Sequence, residues 1–118
     1  PSATSVLDGF GEGKLAFMSV RESLDLESSP LFLERVRPVL RNCRCLVVDL
    51  SGVEFVDSTG VRTLLSLADE MERQGRELRL VVRPGSRVER TLGLLKLLER
   101  FRTCGTLDEA CRYSCPVS

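Results

Sequence analysis

The segment Cys45-Leu46-Val47-Val48-Asp49-Leu50 constrains the fold more than any other part of the chain. It is a nearly continuous apolar run, without the in-out alternation of a strand that keeps one face in water. Runs of this kind belong to central parallel strands covered on both faces. The segment therefore predicts the middle of a sheet, with helices packed above and below it.

The flanking sequence supplies those helices and further strands. Val6 to Phe10 and Lys14 to Val20 are short apolar-rich segments, and Gly11, Glu12 and Gly13 between them predict a hairpin of two antiparallel strands. Ser28, Ser29 and Pro30 are a helix-start signal, in which a hydroxyl caps the first turn and proline takes a position that needs no N–H. The helix that follows carries Phe32, Val36, Val39, Leu40 and Cys43 on one face, and Pro38 predicts either a kink or an early end. From Val61 the apolar residues recur at Leu64, Leu65, Ala68 and Met71, which is helical spacing, with Gly75 as the stop. Leu78 to Val82 reads as another strand. Ser86 opens a helix with Val88, Leu92 and Leu95 in register, a short edge strand is expected near Arg100 to Thr103, and Thr106 caps a last helix.

This order predicts an α/β fold: a mixed, mostly parallel sheet of about four to five strands with about four helices and right-handed crossovers. Short connections predict a single domain over residues 1–118, with the extreme N-terminus and the tail from about Tyr113 loosely held.

Charge and composition narrow the function. Seventeen basic residues balance 17 acidic ones, so no excess charge favours nucleic acid or an anionic membrane. No run approaches the roughly 20 apolar residues that span a bilayer, and no basic-then-apolar leader opens the chain. The expectation is a soluble, cytoplasmic protein. Five cysteines form no C-x-x-C pair, and with no histidine present they read as free thiols of a reducing compartment rather than as a zinc site. Histidine is also the usual general base and phosphorelay acceptor, so its absence argues against an enzyme. No metal or cofactor is implied.

The chemistry concentrates in Val48-Asp49-Leu50-Ser51-Gly52-Val53-Glu54-Phe55-Val56-Asp57-Ser58-Thr59-Gly60-Val61. A buried strand ends, a turn follows, and Asp57-Ser58-Thr59-Gly60 leads straight into an amphipathic helix. Such a start is polar, exposed and rich in free backbone N–H groups. Taken alone it is also what an ordinary helix cap looks like.

The whole layout resembles the STAS family of anti-sigma factor antagonists. The likeness runs from the opening strand pair through Leu24-Asp25, Leu46 to Leu50, Val53, Phe55-Val56-Asp57-Ser58-Thr59-Gly60, the helix to Gly75 and the strand Leu78 to Val82. It ends with Thr106-Leu107-Asp108-Glu109-Ala110. The resemblance implies a partner-switching circuit without catalysis by this chain. The unmodified protein binds an anti-sigma factor that is also a serine kinase, phosphorylation ends the interaction, and a serine phosphatase restores it. By position Ser58 is the phosphate acceptor, with Asp57, Thr59 and Gly60 beside it and Asp25 at the rim of the interface. A structural or regulatory subunit of a stressosome-like or transport assembly is the other role the family offers. The departure from the family pattern is Glu22, which stands where glycine is frequent in Gly-x-Leu-Asp.

Helical spacing places Arg62 away from the face of Val61, Leu64, Leu65 and Ala68, free to contact a partner or simply solvated. Arg79, on a strand distant from this loop, is expected to bear on neither binding nor stability. Gly9, Gly11 and Gly13 before Lys14 lack the G-x-x-x-x-G-K-[ST] pattern of a phosphate loop and fit the hairpin better. Asp69, Glu70 and Glu72 among Arg73 and Arg76 read as a solvated helix face.

Overall fold

The structure, a computed structural model, describes residues 6–8, 15–41 and 43–112. The hairpin connection at Gly11 to Gly13, the glycines before Lys14, the first residues and the tail from Tyr113 lie outside the described residues.

Among the described residues two strands are followed by alternating helices and strands: β1 (Val6–Asp8), β2 (Leu15–Ser19), α1 (Ser29–Leu40), β3 (Cys45–Asp49), α2 (Ser58–Arg73), β4 (Glu77–Val81), α3 (Arg87–Leu94), β5 (Thr103–Cys104) and α4 (Leu107–Arg112). The sheet order is β1-β2-β3-β4-β5, with β3 in the middle. β1 pairs antiparallel with β2, Val6 opposite Met18, and the remaining neighbours are parallel. Parallel pairing puts the C-terminal ends of β2, β3 and β4 along one edge of the sheet.

The apolar run of β3 is buried on both faces, for the reason its composition implies. Leu46 and Val48 point into the larger core with Ala16, Met18, Leu78 and Leu80, against Val36 of α1, Leu64 and Met71 of α2 and Leu92 of α3. Cys45 and Val47 point the other way, into a smaller cluster with Leu15, Phe17, Val81 and Ala110 that α4 covers. Val47 and Val48 are both fully buried.

Several details depart from the sequence reading. Helix α1 ends at Leu40, the early end that Pro38 in its last turn predicts, so Cys43 lies beyond the helix and not on its face. Ser28 precedes α1 in a helical backbone conformation and makes no side-chain cap. In α2 the buried face is Val61, Leu64, Leu67, Ala68 and Met71, with Leu65 only half-buried. Leu95 is not part of the α3 core face: it sits at the C-cap and is 53% exposed. Arg79 is buried, not a neutral surface position: its Nη1 donates to the Ala110 carbonyl at 2.7 Å and its Nε pairs with Glu77. That pairing is what lets an arginine occupy the face of β4 beneath α4. The acidic face of α2 is partly tied as well, because Arg100 bridges Asp69 and Glu72.

The caps elsewhere follow the sequence signals. Ser86 Oγ accepts from the Glu89 N–H, and Thr106 Oγ1 accepts from the Glu109 N–H. Gly75 closes the end of α2 with φ of 72°, a backbone region that favours glycine.

Candidate functional site

The site lies at the edge of the sheet where the parallel strands end. After β3 the chain turns at Ser51 and Gly52. The Asp49 carboxylate accepts the Ser51 N–H at 2.9 Å, and the Val53 N–H returns to the Leu50 carbonyl at 3.0 Å. Val53 and Val56 are buried while Glu54 is exposed, so the loop is pinned by its apolar residues beneath the polar start of α2.

Asp57 then takes an extended backbone, φ −90° and ψ −175°, and caps α2 by accepting the Gly60 N–H on Oδ1 at 2.9 Å. Its carboxylate is thereby committed to the helix. Ser58, the first residue of α2, is left exposed, with Thr59 half-buried beside it. One turn on, Arg62 is exposed, and its side chain makes no hydrogen bond or ion pair with any described residue.

A second loop locks this corner. Leu24 forms an isolated parallel bridge with Val56: the Leu24 N–H donates to the Phe55 carbonyl and the Asp57 N–H to the Leu24 carbonyl, both at 3.1 Å. Gly60 packs directly on that bridge, since a Cβ there would fall 2.3 Å from the Leu24 carbonyl oxygen and 2.8 Å from Val56 Cγ1. Glycine is needed here for close approach between the helix and the loop.

Asp25 follows the bridge and organises the turn into α1. Its Oδ1 accepts the Glu27 and Ser28 N–H groups, each at 3.0 Å. Ser28 answers from its hydroxyl, accepting the Asp25 N–H at 3.0 Å and donating to the Ser23 carbonyl at 2.7 Å. The Ser28 hydroxyl is thus used by the preceding turn, which explains why it does not cap α1. The N–H of Ser28 does most to hold the Asp25 carboxyl below the usual aspartate range; burial opposes it, and the Ser28 hydroxyl and the Glu27 N–H add smaller lowering effects. Glu22 has no positive φ, so this turn does not need the glycine frequent in the family pattern.

The structure thus brings Asp25, Asp57, Ser58, Thr59 and Gly60 to one corner, with Arg62 a turn further along α2. Sequence reasoning missed the apolar flank of this corner. Leu26 is 69% exposed and Leu31 40% exposed. Leu31 lines a small groove of about 20 Å³, whose other lining residues include the buried Met18, Val20, Leu24 and Phe32 and the more exposed Glu22 and Arg35. An apolar residue next to Asp25 and a leucine just after Pro30 were the available signals. Among the described residues, no group of three or more His, Cys, Asp or Glu is placed to hold a metal ion, and no helix is long and apolar enough to cross a membrane.

A five-stranded mixed sheet whose polar corner joins the loop after β3 to the loop before α1 defines a class of protein. The STAS domain model matches residues 11–110, and the chain belongs to the STAS domain family. Its relatives include the anti-sigma-F factor antagonist RsfB of Mycobacterium tuberculosis, 32% identical over 98 residues that cover 81% of this chain and 78% of that protein. The crystal structure of an anti-sigma factor antagonist from Mycobacterium paratuberculosis is 26% identical, with a TM-score of 0.76 over 95% of this chain and 94% of that one. The Thermotoga maritima protein TM1081 shares the fold at 22% identity and a TM-score of 0.79, covering 94% of this chain and 92% of its own.

Proposed function

We propose that this chain is an anti-sigma factor antagonist: a binding switch, not an enzyme, that engages an anti-sigma factor with serine kinase activity through the corner around Ser58. The observation that carries this reading is the division of labour at the start of α2. Asp57 takes over the capping, which leaves the Ser58 hydroxyl exposed on a start fixed by the Leu24–Val56 bridge. A hydroxyl needed for capping would be lost to the helix on modification, whereas Ser58 is available without unfolding anything. Asp25, Thr59 and Gly60 complete the contact surface, and Arg62 is free to meet the partner from α2.

In the modification itself, Ser58 Oγ forms a bond to the γ-phosphorus of ATP as the bond to the ADP oxygen breaks. The hydroxyl proton passes to a base of the kinase. The product carries about −1.5 to −2 charges beside Asp57. Docking would then require desolvating that charge next to a carboxylate, and every 1.4 kcal/mol lost is about tenfold in affinity. A serine phosphatase returns the chain to its binding form, and release of the sigma factor from the anti-sigma factor is the output.

Capture of partners on Ser58→Ala and Ser58→Asp baits tests the reading. It expects a serine kinase of the anti-sigma type to be held by Ser58→Ala and lost from Ser58→Asp. Equal retention by both baits would overturn it.

A further inference from the structure

Arg62 stands out because helical geometry brings it to Ser58 and gives it nothing else to pair with. Residues three and four apart on a helix are neighbours, with about 5–6 Å between Cβ atoms. Long side chains on a helix tilt toward its N-terminus, so a residue covers the turn before its own. Helical spacing therefore puts Ser58 within reach of the Arg62 side chain. Its neighbours at helical spacing are Ser58, Thr59, Leu65 and Ser66, none of them acidic. The nearby Asp57 carboxylate holds the Gly60 N–H, and the acidic pair further along the helix, Asp69 and Glu72, is held by Arg100. An exposed guanidinium is thus left without a counter-ion beside the hydroxyl that gains the phosphate.

We propose that Arg62 is the intramolecular counter-ion of phosphorylated Ser58, so that phosphorylation both adds negative charge to the corner and withdraws its free cation from the partner. This rests on Ser58 being the modified residue. Phosphate oxygens accept charge-assisted hydrogen bonds from a guanidinium in two-pronged geometry, which a neutral hydroxyl does not offer. In the unmodified protein Arg62 is available to an acidic group of the partner. In the phosphorylated protein it folds back onto its own helix. The corner then presents a partly neutralised phosphate and no free arginine, and both changes oppose re-binding.

The test installs phosphoserine at position 58 of the full chain during translation and follows the phosphate by ³¹P NMR as pH is varied. Asp57 on the same helix start, Glu54 on the loop before it and Asp25 on the neighbouring loop favour the singly charged phosphate. Arg62 favours the doubly charged form. The second phosphate pKa is expected to be about half a unit lower with Arg62 than in Arg62→Gln, with Arg62→Lys in between because an ammonium is only a point charge. Identical titration in all three chains overturns the counter-ion role. Because the phosphate is installed without a kinase, that result leaves the functional reading standing. Absence of phosphate from Ser58 after incubation of the wild-type chain with the captured kinase and ATP would defeat the functional reading instead.

Discussion

Gly60 shows how a single residue couples the helix to the rest of the site. Its requirement comes from the Leu24 carbonyl, 2.3 Å from where a Cβ would stand, and the obstructing atom is backbone, which cannot swing aside. Gly60→Ala must therefore push the 24–25 loop away from α2. The expected cost is about 1–3 kcal/mol in denaturant unfolding, the usual range for forced overpacking. Faster hydrogen exchange at the Asp57 amide, whose bond to Leu24 would open, would accompany it. Asp25 acts by charge: its folded pKa is depressed by the N–H groups it accepts, so its contribution is fully present above the unfolded value of about 3.9 and is lost as pH falls through the lower folded value. The stability gap between wild type and Asp25→Asn should be flat from neutral pH down to about 5 and close in stronger acid. A gap that widened on acidification would contradict this sign. Asp57, Ser58 and Gly60 stand out in the sequence because Asp-Ser-Thr-Gly is a local pattern. The bridge from Leu24 to Val56 does not, since it joins residues distant in the chain through backbone atoms that carry no side-chain signature.

Among the elements, β3 and β4 were both legible as strands, but the burial of Arg79 in β4 was not. An unbroken apolar run has one reading, burial on both faces, and β3 takes it. β4 carries Arg79 in the middle of its run, and alternation alone suggests a side chain that faces water. What decides its fate is α4, a helix of six residues whose Ala110 carbonyl receives the Arg79 guanidinium. The helix shields the arginine, and the arginine holds the helix. Arg79→Ala should destabilise the domain by about 2–4 kcal/mol, since it removes one partner of a buried pair. Thermal melts and faster proteolysis near α4 would record that loss; an unchanged melting temperature would show that α4 is held by its apolar contacts alone. The misplacement of Leu95 has a similar origin. Periodicity put it in register with Val88 and Leu92, but α3 ends at Leu94, and past the last helical residue the period no longer says where a side chain points.

At the scale of the molecule, the sheet's parallel topology places the candidate site. Strands β2 and β3 both end at the edge where the 24–25 loop meets the 55–57 loop, so the site is assembled by two connections fixed to a buried scaffold. The scaffold depends on the central strand. Val48 is fully buried between Met18 and Leu80 of the neighbouring strands, and Val48→Asp would place an unpaired charge there. That variant is expected to yield no soluble folded protein, whereas a cooperative melt near that of wild type would refute the register. On the proposed reading, the corner changes charge while this scaffold keeps its fold. The direct measurement is calorimetric titration of the captured anti-sigma partner with the unmodified chain and with the chain phosphorylated at Ser58. The account predicts a loss of at least about 100-fold in affinity, roughly 2.7 kcal/mol, with circular dichroism and melting showing an intact domain. Equal affinities for the two forms, or a loss accompanied by unfolding, would contradict it.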